Sequence, residues 1–279
     1  MAANSKIEWT MHTSNLWHGC TNIHEGCDNC YAEVLSHRWK NDLWGNDKPR
    51  KETKTWYNDL LKYQKKAFEA GEIHRVFIGS MMDIFEKPMK VVNHKFEEMD
   101  YDTSKLRKKL FEEIVPITPN LMYLFLTKRP SNINKYIPES WKTNPPKNVM
   151  FGTSVVNQKT ADKLIPQLLE VNGQLFLSVE PMLDKIDLTS IKGNAGSVYQ
   201  CLQPITNHGD SNRNSIDWVI VGGESGHGRR PFNTDWGRLI MKHCKQYNVP
   251  FFFKQIDKIL PIPEDLKVRE FPKYHTLKK

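Results

Sequence analysis

Asp217-Trp-Val-Ile-Val-Gly-Gly-Glu224 is apolar at every position from Trp218 to Val221, not at alternate positions. A strand that reads this way has both faces covered, as strands of a parallel sheet under helices must be. The same unit recurs at Arg75-Val-Phe-Ile-Gly-Ser80, Leu121-Met-Tyr-Leu-Phe-Leu-Thr-Lys128, Asn148-Val-Met-Phe-Gly-Thr-Ser154, Gln174-Leu-Phe-Leu-Ser-Val-Glu180 and Val249-Pro-Phe-Phe-Phe-Lys-Gln255. Helices are predicted over 31–44, 55–70 (closed by Gly71), 104–115, 158–171 (capped by Asn157, kinked by Pro166, stopped by Gly173) and 235–247. Strand and helix alternate, which argues for an α/β fold. With a first strand expected just before Cys20, the count reaches about seven. That suits a partial or complete β/α barrel of parallel strands with long loop insertions; an open doubly wound sheet is the alternative. The insertions are 84–103 and 182–216, candidates for lids or substrate-binding loops. Residues 1–256 are expected to form the barrel domain, with a loop at 15–33 carrying its chemistry, and 257–279 a C-terminal extension.

Composition bounds the class. The chain has 279 residues, 39% of them hydrophobic, with no apolar run long enough to span a bilayer. Met1 to Trp9 has neither a signal core nor an Arg-rich transit pattern, so a cytoplasmic protein with no membrane partner is expected. The formal charge of +8 draws anionic partners such as nucleic acid, a nucleotide or a phosphorylated substrate. The lysines are scattered, however, and a solvated lysine-rich surface would read the same way.

Five cysteines is an odd number, and three of them cluster within the loop Asn15-Leu-Trp-His-Gly-Cys-Thr-Asn-Ile-His-Glu-Gly-Cys-Asp-Asn-Cys-Tyr-Ala-Glu33. Such usage favours metal or redox chemistry over a disulfide framework. Cys20, Cys27 and Cys30 offer three thiolates to one point. A structural zinc would need a fourth protein ligand, for which His12, His18, His24 and His37 are near in sequence; an iron–sulfur cluster would leave one iron open.

In a parallel β/α fold the chemistry collects at the carboxyl ends of the strands. Each apolar run here closes on polar groups: Ser80 and Asp83, Thr127 with Lys128 and Arg129, Thr153 with Ser154, Ser178 with Glu180, Gly222-Gly223-Glu224-Ser225, and Lys254 with Gln255. Any one of these could be an ordinary cap or turn. Six in register point to a site. The Gly222-Gly223 turn is not a phosphate loop, because the Gly-x4-Gly-Lys-Ser/Thr spacing is absent.

The cysteine loop with Tyr-Ala-Glu, Gly-Ser-Met-Met-Asp-Ile-Phe at 79–85, Thr-Lys-Arg-Pro at 127–130, Leu-Ser-Val-Glu-Pro at 177–181, Val-Ile-Val-Gly-Gly-Glu-Ser at 219–225 and Phe-Phe-Phe-Lys-Gln at 251–255 together resemble a phage-associated, radical-SAM-like family of three-cysteine proteins. More distantly, the order of cysteine loop, Ser-x-x-Asp and Thr-Lys is similar to spore photoproduct lyase. The resemblance implies a 4Fe-4S cluster on Cys20, Cys27 and Cys30, with S-adenosyl-L-methionine on the open iron. It further implies that Ser80 and Asp83 hold the methionine amino group, Lys128 its carboxylate, and Ser154 the ribose or sulfonium end. An external electron donor such as a flavodoxin or ferredoxin is implied too. The first cysteine gap is six residues here, against three in the usual radical SAM pattern.

Glu180, Glu224, Arg229 and Lys254 are left as candidates for the substrate, Arg229 and Arg230 as phosphate contacts or solvated loop residues. Cys201 is a candidate hydrogen donor to a product radical or a bystander thiol, and Cys244 reads as a core thiol. Trp9, Trp17, Trp39 and Trp44 either pack around the cysteine loop or stack bases. The expected function is a radical SAM enzyme acting on a nucleobase, nucleotide or nucleic acid, in phage DNA modification or repair. The alternative is a zinc- or cluster-containing nucleic-acid- or partner-binding protein without catalysis.

Overall fold

The computed structural model describes residues 2–3, 5–193, 196–203 and 214–273. Seven main strands follow the apolar runs: β1 (His12–Ser14), β2 (His74–Ile78), β3 (Leu121–Thr127), β4 (Val149–Ser154), β5 (Gln174–Val179), β6 (Trp218–Gly222) and β7 (Phe251–Gln255). The longer helices among the described residues are α1 (Tyr31–Arg38), α2 (Trp56–Ala70), α3 (Thr103–Lys109), α4 (Gln158–Leu169) and α5 (Thr234–Gln246). Every residue of β4 and β6 is buried, as two-faced burial requires. The chain is therefore mixed α/β, with parallel strands joined through helices.

The chain divides into two compact units, Met1–Thr127 with Asn132–Met150, and Lys128–Ser131 with Phe151–Lys273; the described part of the expected C-terminal extension counts with the second. In the first, β1, β2 and β3 pair in parallel, Thr13 opposite Phe77 and Phe77 opposite Leu124. Its core holds Phe85, Phe111, Phe125 and Trp141 in tilted and edge-on contact. In the second, β5, β6 and β7 pair in parallel, Leu177 opposite Val219 and Val219 opposite Phe251. There Trp218 packs among Phe176, Phe252 and Phe271.

Local signals explain most boundaries. Gly71 closes α2 at φ 68°, and Asn157 caps α4 through a reciprocal box with Thr160. Three expectations change. The helix expected to reach Trp44 ends at Arg38, because Lys40 turns into the left-handed region at φ 58° and Asn41 N–H closes back on the Ser36 carbonyl at 3.0 Å; beyond it the carbonyls of Leu43, Gly45 and Lys48 turn to the guanidinium of Arg50. The segment 84–103, read as a loop, instead supplies the strands Lys90–Val92 and Glu98–Asp102 to a small sheet with Trp17–His18 and Arg50–Glu52. The helix over 104–115 widens into a π-turn at Leu110–Ile114. In the insertion 182–216, the described part contains a short antiparallel pair, Ile191–Lys192 with Val198–Tyr199, while 194–195 and 204–213 lie outside the described residues.

Candidate functional site

The first unit holds the cysteine loop together with the end of β2. Gly79 to Asp83 forms a turn whose groups are taken up by that loop. Gly19 N–H donates to the Met81 carbonyl at 3.1 Å, and Tyr31 Oη, next to Cys30, donates to the Ser80 carbonyl at 2.8 Å. Asn15 clasps the turn from the other side, its Nδ2 donating to Ser80 Oγ at 2.8 Å and its Oδ1 accepting from Met81 N–H at 2.8 Å. Cys20 and Cys30 pack against one apolar cluster of Ala32, Leu43, Trp44 and Met81, so Met81 joins the cysteine wall to the strand end.

None of the cysteines forms a disulfide; Cys27 is buried, Cys20 and Cys30 half-buried. Among the described residues no set of three or more His, Cys, Asp or Glu side chains is gathered for a metal. The loop thus carries three unoxidised thiols on one braced segment, two of them on a common wall, without drawing the three into a closed coordination shell. The donor chemistry fits a thiolate-bound centre. Of the histidines that could complete a zinc site, His12 is committed to His74, at 3.0 Å, and stacks on Tyr63.

Asp83 is buried, its Oδ1 accepting from the Phe85 N–H at 3.0 Å and the Thr127 hydroxyl at 2.7 Å. Its carboxylate therefore ties the turn after β2 to the end of β3. Beneath lies a group that sequence reading missed. Arg50, fully buried, meets Glu86 in a two-pronged pair, Nε to Oε2 at 2.8 Å and Nη2 to Oε1 at 2.7 Å, and also donates to Thr21 Oγ1 beside Cys20. Arg107 completes the brace by donating to the carbonyls of Ile84 and Glu86. Arg50 stands in a Lys-Pro-Arg-Lys stretch that looks like surface charge, so nothing local marks it.

In the second unit the ends of β5, β6 and β7 carry three ion pairs. Lys254 Nζ lies 2.7 Å from Glu180 Oε1. Glu224 is buried and gripped by Arg230 through its backbone N–H at 2.9 Å and through Nη2 at 2.8 Å. Arg229 Nε donates to Asp257 Oδ2 at 2.8 Å, and hydrogen bonds from Leu260 N–H, Arg229 and Ile259 N–H hold the Asp257 carboxyl down at about 2. Gly222 leaves room for this pair: a Cβ would lie 2.9 Å from Glu180 Oε1, which would have to shift. Lys128, half-buried, and Ser154, buried at the end of β4, also belong to this unit. Cys201 is buried, donates to the Leu188 carbonyl at 3.5 Å, and has its thiol pushed far up by burial, with nearby Cys244 adding to the shift. That is the setting of a core thiol. Of the tryptophans, Trp9, Trp17 and Trp44 are buried, whereas Trp39 is half exposed and stacks on His18.

Fold and site together define a three-cysteine α/β protein, with its cysteine loop bound to a Ser-x-x-Asp strand end. The chain belongs to the family described as "Protein of unknown function (DUF5131)", whose model matches residues 4–268. No curated protein and no solved structure matches it. No helix among the described residues is long and apolar enough to cross a membrane.

Proposed function

We propose that the protein is a radical S-adenosylmethionine enzyme that acts on a nucleobase, nucleotide or nucleic acid in the cytoplasm of a bacterial host. The supporting observation is the fastening of the three-cysteine loop onto the Ser80 to Asp83 turn, through Gly19, Tyr31 and Asn15. In this reading Cys20, Cys27 and Cys30 hold a 4Fe-4S cluster, and Ser80 and Asp83 receive the amino group of S-adenosylmethionine. Lys128 and Ser154 are assigned to its carboxylate and its ribose or sulfonium end. When bound, these groups would supply a 5′-deoxyadenosyl radical, with the electron coming from a carrier such as a flavodoxin or ferredoxin. The chain's own part is to present thiolates on a braced loop and to hold Asp83 in place through Phe85 and Thr127.

Anaerobic reconstitution tests this. The expected result is about four irons with matching sulfide per chain, lost on Cys20→Ala, and release of 5′-deoxyadenosine and methionine under reductant. Zinc at about one per chain with no iron would sink the reading. A fully clustered, reduced protein that leaves S-adenosylmethionine intact would instead support a binding protein without catalysis. One feature favours that second reading: Asp83 Oδ1 already has two structural donors.

A further inference from the structure

Three cations at the ends of β6 and β7 are each matched by a carboxylate: Arg229 by Asp257, Arg230 by Glu224, Lys254 by Glu180. Residues 1–127 hold 18 basic and 18 acidic side chains, so the whole net charge of +8 falls on 128–279. Yet these strand ends are electrically balanced. A phosphate placed there would meet three carboxylates as well as three cations, and would have to displace one of them. A neutral polar group would not.

The Lys254 and Glu180 side chains keep 18% and 13% of their surface, enough to be reached by a ligand and little enough that a bond made there is shielded from water. Each is incompletely used. An ammonium has three donors and a carboxylate about four acceptor positions, and their mutual contact consumes one of each. What remains is a charged donor and a charged acceptor side by side. Gly222 holds the acceptor in place by leaving room for it, and Met182 N–H, bonded to the Gly222 carbonyl at 3.0 Å, fixes the segment after Glu180. Such a pair is complementary to a planar edge carrying an acceptor next to an N–H donor. Every nucleobase presents one.

We infer that Lys254 and Glu180 form a nucleobase-edge reader, Lys254 donating to a ring carbonyl or ring nitrogen and Glu180 accepting from the adjacent N–H, with no phosphate seated on Arg229 or Arg230. This rests on the nucleobase half of the function proposed above and is independent of its radical half. The test is equilibrium dialysis of the full-length protein, without added iron or S-adenosylmethionine, against uridine, thymidine, cytidine, adenosine and guanosine, with ribose 5-phosphate as the phosphate-only probe. At least one nucleoside binds, and its derivative methylated on the edge nitrogen binds more weakly. Lys254→Met and Glu180→Gln each reduce that affinity by about tenfold to a hundredfold, the worth of one charge-assisted hydrogen bond. Should either variant unfold, the exchanged pair Glu180→Lys with Lys254→Glu keeps the ion pair but reverses the edge, and loses the nucleoside. Three outcomes overturn the inference: no nucleoside binds, ribose 5-phosphate binds as tightly as the best nucleoside, or the variants bind as the parent does. Nucleoside binding by a protein that never cleaves S-adenosylmethionine would keep this inference and end the radical reading.

Discussion

Arg50 shows what one side chain can hold together. Its guanidinium gathers Thr21, Leu43, Gly45, Lys48 and Glu86, groups drawn from both flanks of the cysteine loop and from the segment after β2. Removing one partner of so buried a pair strands the other charge. Arg50→Met should therefore cost about 3–5 kcal/mol in urea unfolding, and Glu86→Gln part of that. His12 and His18 define a pH response. Burial lowers each from 6.5 to about 4 in the folded chain, so the unfolded state takes up protons first as pH falls. Stability from these groups is complete above about 6.5 and is lost progressively towards about 4. Urea midpoints measured across that window should decline, and His12→Gln should flatten the decline. If the proposed radical chemistry holds, Cys201→Ala should leave 5′-deoxyadenosine release unchanged, since the thiol lies in the core on the Leu188 carbonyl. The three clustered cysteines were legible from spacing alone, whereas Arg50 was not, because burial of a charge is decided by residues dozens of positions away.

At the scale of elements, strands were easier to read than the segments between them. A run apolar on both faces can satisfy itself only inside a covered sheet, so the six later strands lie close to where the sequence predicts them. The end of α1 was not legible, since it falls at Lys40, an ordinary helix former that here takes the left-handed conformation at φ 58°, and the chain beyond is held by Arg50 and by the Gly45 N–H bond to the Cys20 carbonyl. Gly19 marks the hinge of this arrangement, at φ 115° with the Leu43 carbonyl 2.6 Å from where a Cβ would be. Gly19→Ala should loosen the cysteine loop, seen as faster alkylation of Cys20 and Cys30 with little change in far-UV circular dichroism. In α4, Asn157→Ala removes a reciprocal cap and should cost about 1 kcal/mol in urea unfolding.

For the whole molecule, the cysteine loop is braced by protein bonds through Arg50, Gly19, Tyr31 and Asn15, fastenings that are independent of its thiols. A Cys20→Ala, Cys27→Ala, Cys30→Ala triple variant should keep the circular dichroism of the metal-free parent and unfold within about 1–3 kcal/mol of it. A metal-free parent that is itself unfolded and folds only when zinc is added would point to a structural zinc, whose binding energy is folding energy. The sequence by itself determined the parallel α/β class, the cysteine loop and the polar closure of each strand, because periodicity and spacing are local properties of a chain. Only the tertiary structure decided that the loop is fastened to the Ser80 to Asp83 turn, that Arg50 is an internal strut, and that Arg229, Arg230 and Lys254 are each matched by a carboxylate. Apart from Arg230 with Glu224, six residues apart, those facts depend on pairings between residues far apart in sequence, whose partners appear only when the chain is folded.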